Sequence, residues 1–379
     1  MKPSFLAMRE LAFARGRFAL MGAVVALISV LMVLLSGLSE GLVNDGVSGL
    51  KRLPVTSMAF QSDVQKSSAY SRSTISRDAV ESWRSHPGVA EAAPFGNTLV
   101  NGRTNSGIEV DLALFGIELG SFLDPGAARG SALSGDGQIV ISPTAEDEGV
   151  RIGDTVTLEP SGLTLHVVGA LQSQSTFGHV DVAYLSLRSW QQAKAGINAH
   201  DTAPPRTYRE ITAVAVAADL GTTLDLTAGD QAAGTTSLTM EDSFAASPGY
   251  SAEMMTLTLI KAFLYAISAL VVGAFFTVVT IQRRGEIAVL RALGASSAYL
   301  VRDSLIQSFI LLVVSTGIGI GVGCAFGAAL ATTPMPFALA ATPITVAAAL
   351  LITLGMLGSA SAVLRLTRID PLVALGGSR

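Results

Sequence analysis

The sequence is poor in charge and almost free of cysteine. Only 14% of its 379 residues are Asp, Glu, Lys or Arg, and Cys is present once. Soluble domains carry about 25% charged residues. The deficit excludes a disordered chain and a basic nucleic-acid binder, so no nucleic acid is expected as a partner, and the lone thiol excludes a disulfide scaffold. With Lys+Arg 25 against Asp+Glu 29, the net charge of -4 is too small to call for a polyionic partner. There is no G-x-x-x-x-G-K-[ST], so the chain is not expected to bind ATP through a phosphate loop. C-x-x-C, H-E-x-x-H and G-x-S-x-G are also missing, and neither a zinc site nor a catalytic residue is expected. The four histidines, His86, His166, His179 and His200, are scattered and read as surface or strand residues. Cys324 falls in an apolar run, where a free Cys behaves as a small hydrophobe.

Half of the chain is hydrophobic, and those residues cluster. The stretches 263–281, 305–331 and 343–364 contain no charge, and 18–43 contains one acid, Glu40. Each approaches the roughly 20 residues that cross about 30 Å of hydrocarbon as a helix. Helices satisfy their own backbone groups, which lipid demands. Gly317, Gly319, Gly321, Gly323 and Gly327 would weaken a soluble helix but permit close contact in a membrane, Gly323 and Gly327 as a small-xxx-small pair. The first run is longer than a signal-peptide core and lacks an A-x-A close, so it reads as an anchor.

Arginines and lysines set the orientation. Lys2, Arg9, Arg15 and Arg17 precede the first run, Arg283, Arg284, Arg291 and Arg302 separate the second from the third, and Arg365, Arg368 and Arg379 follow the fourth. By the positive-inside rule both termini are cytoplasmic. The expected fold is an α-helical polytopic membrane protein with four transmembrane helices and an α+β extracytoplasmic domain inserted between the first and second. The expected segments are an interfacial helix (1–17), the first span (18–43), the outer domain (44–253), the second span (254–282), a cytoplasmic helix or loop (283–303), the third span (304–331), an outer turn (332–342), the fourth span (343–364) and a cytoplasmic tail (365–379). Such a chain belongs in the cell membrane, with the lipid bilayer as its first partner.

Within the outer domain the alternation at 138–142, 154–158, 163–168 and 211–217 predicts strands, with Pro160-Ser161-Gly162 as a hairpin turn. A helix is expected at 76–85 with Ser76 as its cap, and another at 187–195. The weakly patterned 229–239 reads as a loop. Residues 252–261 extend the second span, and 43–50 could extend the first, although Gly46 and Gly49 weaken that reading.

The most informative stretch follows the second span: Arg283-Arg284-Gly285-Glu286-Ile287-Ala288-Val289-Leu290-Arg291-Ala292-Leu293-Gly294-Ala295-Ser296. Ile287, Leu290 and Leu293 recur every three residues, giving a short amphipathic helix that Gly294 can end. A basic interfacial helix would explain the arginines but not Glu286 or the Gly-Ala-Ser stop. The stretch resembles the coupling segment of FtsX-like ABC transporter permeases of the MacB type. Arg368–Leu375 (RIDPLVAL) resembles their tail, and Arg151–Leu158 (RIGDTVTL) a strand of their outer domain. One span, a large domain and three spans is their topology. The resemblance implies a homodimeric permease subunit working with two copies of a separate ABC ATPase subunit that binds the ATP. Arg284, Glu286, Ile287, Leu290, Arg291, Leu293 and Gly294 would then dock on that ATPase.

The compact form is similar to the haem exporter permeases of Gram-positive bacteria, which implies haem as a substrate. Haem needs an apolar slot and axial ligands. At 1.5 Å per residue Glu40 stands about 33 Å beyond Phe18, and Lys261 reaches a similar level on the second span. Met32, Tyr250, Met254, Met255 and Tyr265 complete a candidate substrate site, with Glu40 and Met255 as possible iron ligands. Glu40 could equally pair with Lys261 or face headgroup water, and Met32 could be packing. Relatives that move lipoproteins, peptides or antibiotics, or that relay a signal to an extracellular partner, leave the cargo open.

Overall fold

The computed structural model describes residues 15–197, 201–282, 296–333 and 335–367. Leu42–Met254 form one compact unit, and the chain on either side of it forms the other. In chain order the principal helices are α1 (Arg15–Lys51), α2 (Ala79–Arg84), α3 (Leu187–Lys194), α4 (Leu226–Ala233), α5 (Tyr250–Gln282), α6 (Ser297–Leu330) and α7 (Ala341–Thr367).

The helical unit is built from α1, α5, α6 and α7, all long and apolar enough to cross a membrane. Met21, Val25, Ile28 and Met32 of α1 pack with Val272, Leu312, Ala347 and Leu351. Lipid is as apolar as leucine, so close packing of small residues has to hold such helices together. Gly319 meets Ala26 and Ser29, Gly323 meets Val33, and Gly327 meets Phe337. These glycines recur every four residues and so share one face of α6. Gly317 and Gly321 face open space. Phe337 and Pro336 fill the hollows over Gly37 and Gly41, and Ala338 N–H donates to the Gly37 carbonyl (3.0 Å), so the expected outer turn is seated on α1. Ser308 and Ser359 hydroxyls join α6 to α7 at 2.6 Å. Helix α6 begins at Ser297, earlier than the expected span, because the Ser296 hydroxyl caps it by accepting from Tyr299 N–H.

The strands of the inserted unit are β1 (Ser57–Gln61), β2 (Ile75–Ser76), β3 (Val89–Thr104), β4 (Glu109–Ile117), β5 (Arg129–Gly130), β6 (Gln138–Ile141), β7 (Thr155–Glu159), β8 (Thr164–Ala170), β9 (Thr176–Phe177), β10 (Val180–Ser186), β11 (Glu210–Ile211), β12 (Ala213–Ala218) and β13 (Thr235–Thr239). Eleven of them form one mixed sheet, ordered β13-β1-β12-β3-β4-β10-β6-β8-β5, with β7 across β3 and β8 and β9 on β10. The β4–β10 and β6–β8 pairs are parallel, and the expected β7–β8 hairpin is antiparallel.

Both faces of this sheet are buried. Leu112, Leu114, Ala183 and Leu185 point to one core, with Trp83 of α2 and Trp190 of α3. Ala113, Phe115, Val182 and Tyr184 point to the other, with Val47 and Leu50 of α1. The second core is aromatic: Tyr70 contacts Phe60 and Phe177 edge-on at 5.0 and 5.3 Å, and Phe115 contacts Phe95 and Tyr184 at 5.0 and 5.5 Å. Burying an aromatic ring of 150–250 Å² contributes roughly 4–6 kcal/mol before entropy is counted.

Two expectations need correction, and a third, the extension of the first span through 43–50, holds. Ser76 does not cap a helix. It belongs to β2, its hydroxyl donates to Asp78 Oδ2 (2.9 Å), and α2 starts only at Ala79. Residues 229–239 are not a loop but the end of α4 and strand β13: Asp225 caps α4, Gly234 ends it at φ 64°, and β13 pairs with β1. Helix α1 runs to Lys51 despite Gly46 and Gly49, with one non-helical residue, Val47 (φ -145°).

Candidate functional site

The coupling residues Arg284, Glu286, Ile287, Leu290, Arg291, Leu293 and Gly294 lie outside the described residues, as does His200. The candidate substrate residues lie on two helices. Glu40 is half-buried on α1, and Met32 of the same helix is only 3% exposed, inside the bundle core. Tyr250, Met254, Met255, Lys261 and Tyr265 all lie on α5. At about 100° per residue, Tyr250, Met254, Lys261 and Tyr265 share one face within about 60°. Met255 stands well off that face and is 77% exposed. Within the helical unit, Lys261 is close enough to Glu40 to feel its charge. Tyr250 belongs to the other unit, where it packs on the aromatic core and against Phe244 at 6.5 Å.

The inserted unit holds a polar cluster that the sequence did not reveal. Val180 pairs with Phe177, so Gly178 and His179 form the two-residue turn of the β9–β10 hairpin. Both have positive φ, 60° and 67°, the hand that fits such a turn. Phe177 sits in the aromatic core, and Gly178 N–H donates to the Gly46 carbonyl of α1 at 2.9 Å. His179 Nδ1 lies 2.8 Å from Asp45 Oδ2 of α1. Its Nε2 lies 3.1 and 3.2 Å from the two carboxylate oxygens of Glu253 at the start of α5. His179 is exposed, as the surface reading has it, and its ring also bridges two acids. Those acids are 134 and 74 residues away in the chain, so no local pattern announces them.

Next to the turn, Asp181 of β10 is buried. Burial pushes its carboxyl up to about 6 against hydrogen bonds from Thr144 and Ser142, and the charges of Glu148 and Asp45 push the same way. Burial also raises the Tyr70 and Tyr184 phenols. Among the described residues no group of three or more His, Cys, Asp or Glu is arranged to hold a metal ion.

Residues 18–233, more than half of the chain, match the MacB-like periplasmic core domain, and residues 256–371 match the FtsX-like permease C-terminal family. A protein of Staphylococcus epidermidis named as a hemin transport system permease protein HrtB is 23% identical over 374 residues, covering 99% of both chains. The protein of the same name from Staphylococcus haemolyticus is 22% identical over 372 residues, covering 98% of this chain and 99% of that one. Among solved structures, the periplasmic region of MacB from Actinobacillus actinomycetemcomitans aligns with 50% of this chain and 90% of its own, at 12% identity and a TM-score of 0.36. Four apolar helices, an α+β unit inserted after the first, and family matches over residues 18–233 and 256–371 place the chain in the FtsX/MacB-like family of ABC-type permeases.

Proposed function

We propose that the chain is the membrane subunit of an exporter that expels a hydrophobic, membrane-dissolved substrate, haem being the cargo, by means of ATP hydrolysed on a separate subunit. The observation that carries this reading is end-to-end similarity to proteins named as hemin transport permeases. The absence of a phosphate-binding loop in the sequence supports an ATPase on another chain. In this reading two copies of the permease pair with two ATPase subunits. Both termini and the 283–296 stretch lie on the cytoplasmic side, and the inserted unit lies outside.

The substrate enters sideways from the outer leaflet between α1 and α5, near Glu40, and leaves when the spans close. An acid and a base within reach of each other's charge on two apolar helices are costly unless they serve a ligand or each other. Tyr265, on the Lys261 face of α5, supplies aromatic surface for a macrocycle. Met255 serves only if a second copy brings its exposed side toward the same cavity.

The test is ATP hydrolysis by the reconstituted permease–ATPase complex with haem or a lipopeptide added. Stimulation by haem alone supports the cargo, and stimulation by the lipopeptide alone overturns it. Labelling of a cysteine placed at Ala288 from the outside of intact cells would overturn the orientation.

A further inference from the structure

We propose that His179 is a proton-dependent latch that ties the end of α1 to the start of α5. The inference stands on the inserted unit alone and does not depend on what is transported. His179 sits at φ 67°, a backbone region that disfavours L side chains by about 1 kcal/mol and in which hairpin turns prefer Gly or Asn. A ring kept there is placed for what its side chain reaches. It reaches Asp45 with one nitrogen and Glu253 with the other, at 2.8 and 3.1 Å.

Carboxylates only accept hydrogen bonds. Both contacts can be hydrogen bonds only when both ring nitrogens carry a proton, that is, when the ring is an imidazolium. A neutral ring has one N–H and one lone pair. It then holds one acid and presents a lone pair to the other, so one link is lost.

The charged and titratable groups around the ring are Asp45 from α1 and Glu253 and Tyr250 from α5, with Asp181 of β10 within reach of the Asp45 charge. None of them is a cation, so the imidazolium is the charge that holds the acids together. The rest of the turn is fixed to α1 by the Gly178–Gly46 bond and by Thr176, which bonds Ser48 (2.7 Å) and the Asn44 carbonyl (3.3 Å). Among the described residues the start of α5 reaches the ring through Glu253, while Tyr250 packs on the aromatic core and the Ser247 hydroxyl just before α5 donates to the Gly46 carbonyl (3.3 Å), so losing the Glu253 contact loosens α5 at its start. By linkage, whatever separates the two helices releases a proton, and a rise in pH favours separation.

The experiment uses the full chain in lipid nanodiscs without ATPase or haem, with Cys324→Ser and spin labels at the exposed positions Lys51→Cys and Ser251→Cys. The expected result is a narrow distance distribution at pH 6 that broadens or lengthens at pH 8.5. His179→Asn keeps a residue tolerant of the turn but removes the imidazole, and its distribution should not change with pH. Glu253→Ala, which removes the acceptor altogether, should give the broad distribution at both values. A wild-type distribution indifferent to pH, or the same pH response in His179→Asn, overturns the latch. Neither result bears on the proposed cargo.

Discussion

Gly319 of α6 lies directly against Ala26 of α1: a Cβ added to Gly319 would stand 2.4 Å from the Ala26 carbonyl oxygen. The contact is with backbone, which cannot turn away as a side chain can. Gly319→Ala must therefore push α6 off α1 along the seam that Gly323 and Gly327 continue. The expected loss is about 1–3 kcal/mol, the usual cost of overpacking. Gly321→Ala, which meets nothing within 4 Å, should leave stability unchanged or slightly raised. Thermal unfolding of the two purified variants in the same detergent separates these outcomes. Equal loss in both would mean that the close seam contributes nothing.

A second close approach holds the inserted unit. Trp190 of α3 lies over the β3–β4 pair, and a Cβ on Gly116 would come within 2.4 Å of its Cβ. Gly116→Ala should displace the ring and cost roughly 1–3 kcal/mol. With only two tryptophans in the chain, emission reads the site directly. A red shift and a lower unfolding midpoint are expected, and an unchanged spectrum would contradict the packing.

These contacts show which parts of the fold were legible in the sequence. The membrane helices were legible because composition alone defines them: lipid forbids charge over about 20 residues. Strand β3 was not, because it carries Pro94, Gly96 and Gly102, all of which read as breakers, and because its centre is buried on both faces, so alternation is lost. Gly229 read as a loop residue, yet it sits inside α4 because the Trp83 ring would lie 2.3 Å from any Cβ there. The Glu40–Lys261 relation could be reached by counting residues along two helices. The Asp45–His179–Glu253 cluster could not, since it joins a turn to two helices far away in the chain.

The substrate reading makes residues of the two helices unequal. Glu40→Ala should abolish saturable haem binding by the purified permease, followed by Soret absorbance, because it removes the acid and leaves Lys261 unopposed. Met32→Leu should bind as wild type, since Met32 is packed in the bundle core and Leu conserves its volume. If Glu40→Ala titrates like wild type, the site near Glu40 is wrong, whatever the cargo.

Asp181 gives a prediction with a defined pH window. Its carboxyl is raised from 3.8 to about 6 in the folded protein, chiefly by burial. A carboxyl raised on folding holds its proton more tightly in the native state, so stability falls as pH climbs from the unfolded value through the folded one. Below pH 3.8 the group is protonated in both states and costs nothing, and above about 6 the full cost is felt. That cost is on the order of 1–3 kcal/mol. Asp181→Asn removes the charge and keeps an oxygen for the Thr144 hydroxyl, which donates to Asp181 Oδ1. The variant should match wild type near pH 4 and gain in unfolding temperature as pH rises, with the gain levelling off above about pH 6.5. An Asn variant less stable than wild type at pH 7.5 would mean that the ionised carboxylate is itself held by the fold, and that burial does not dominate at this position.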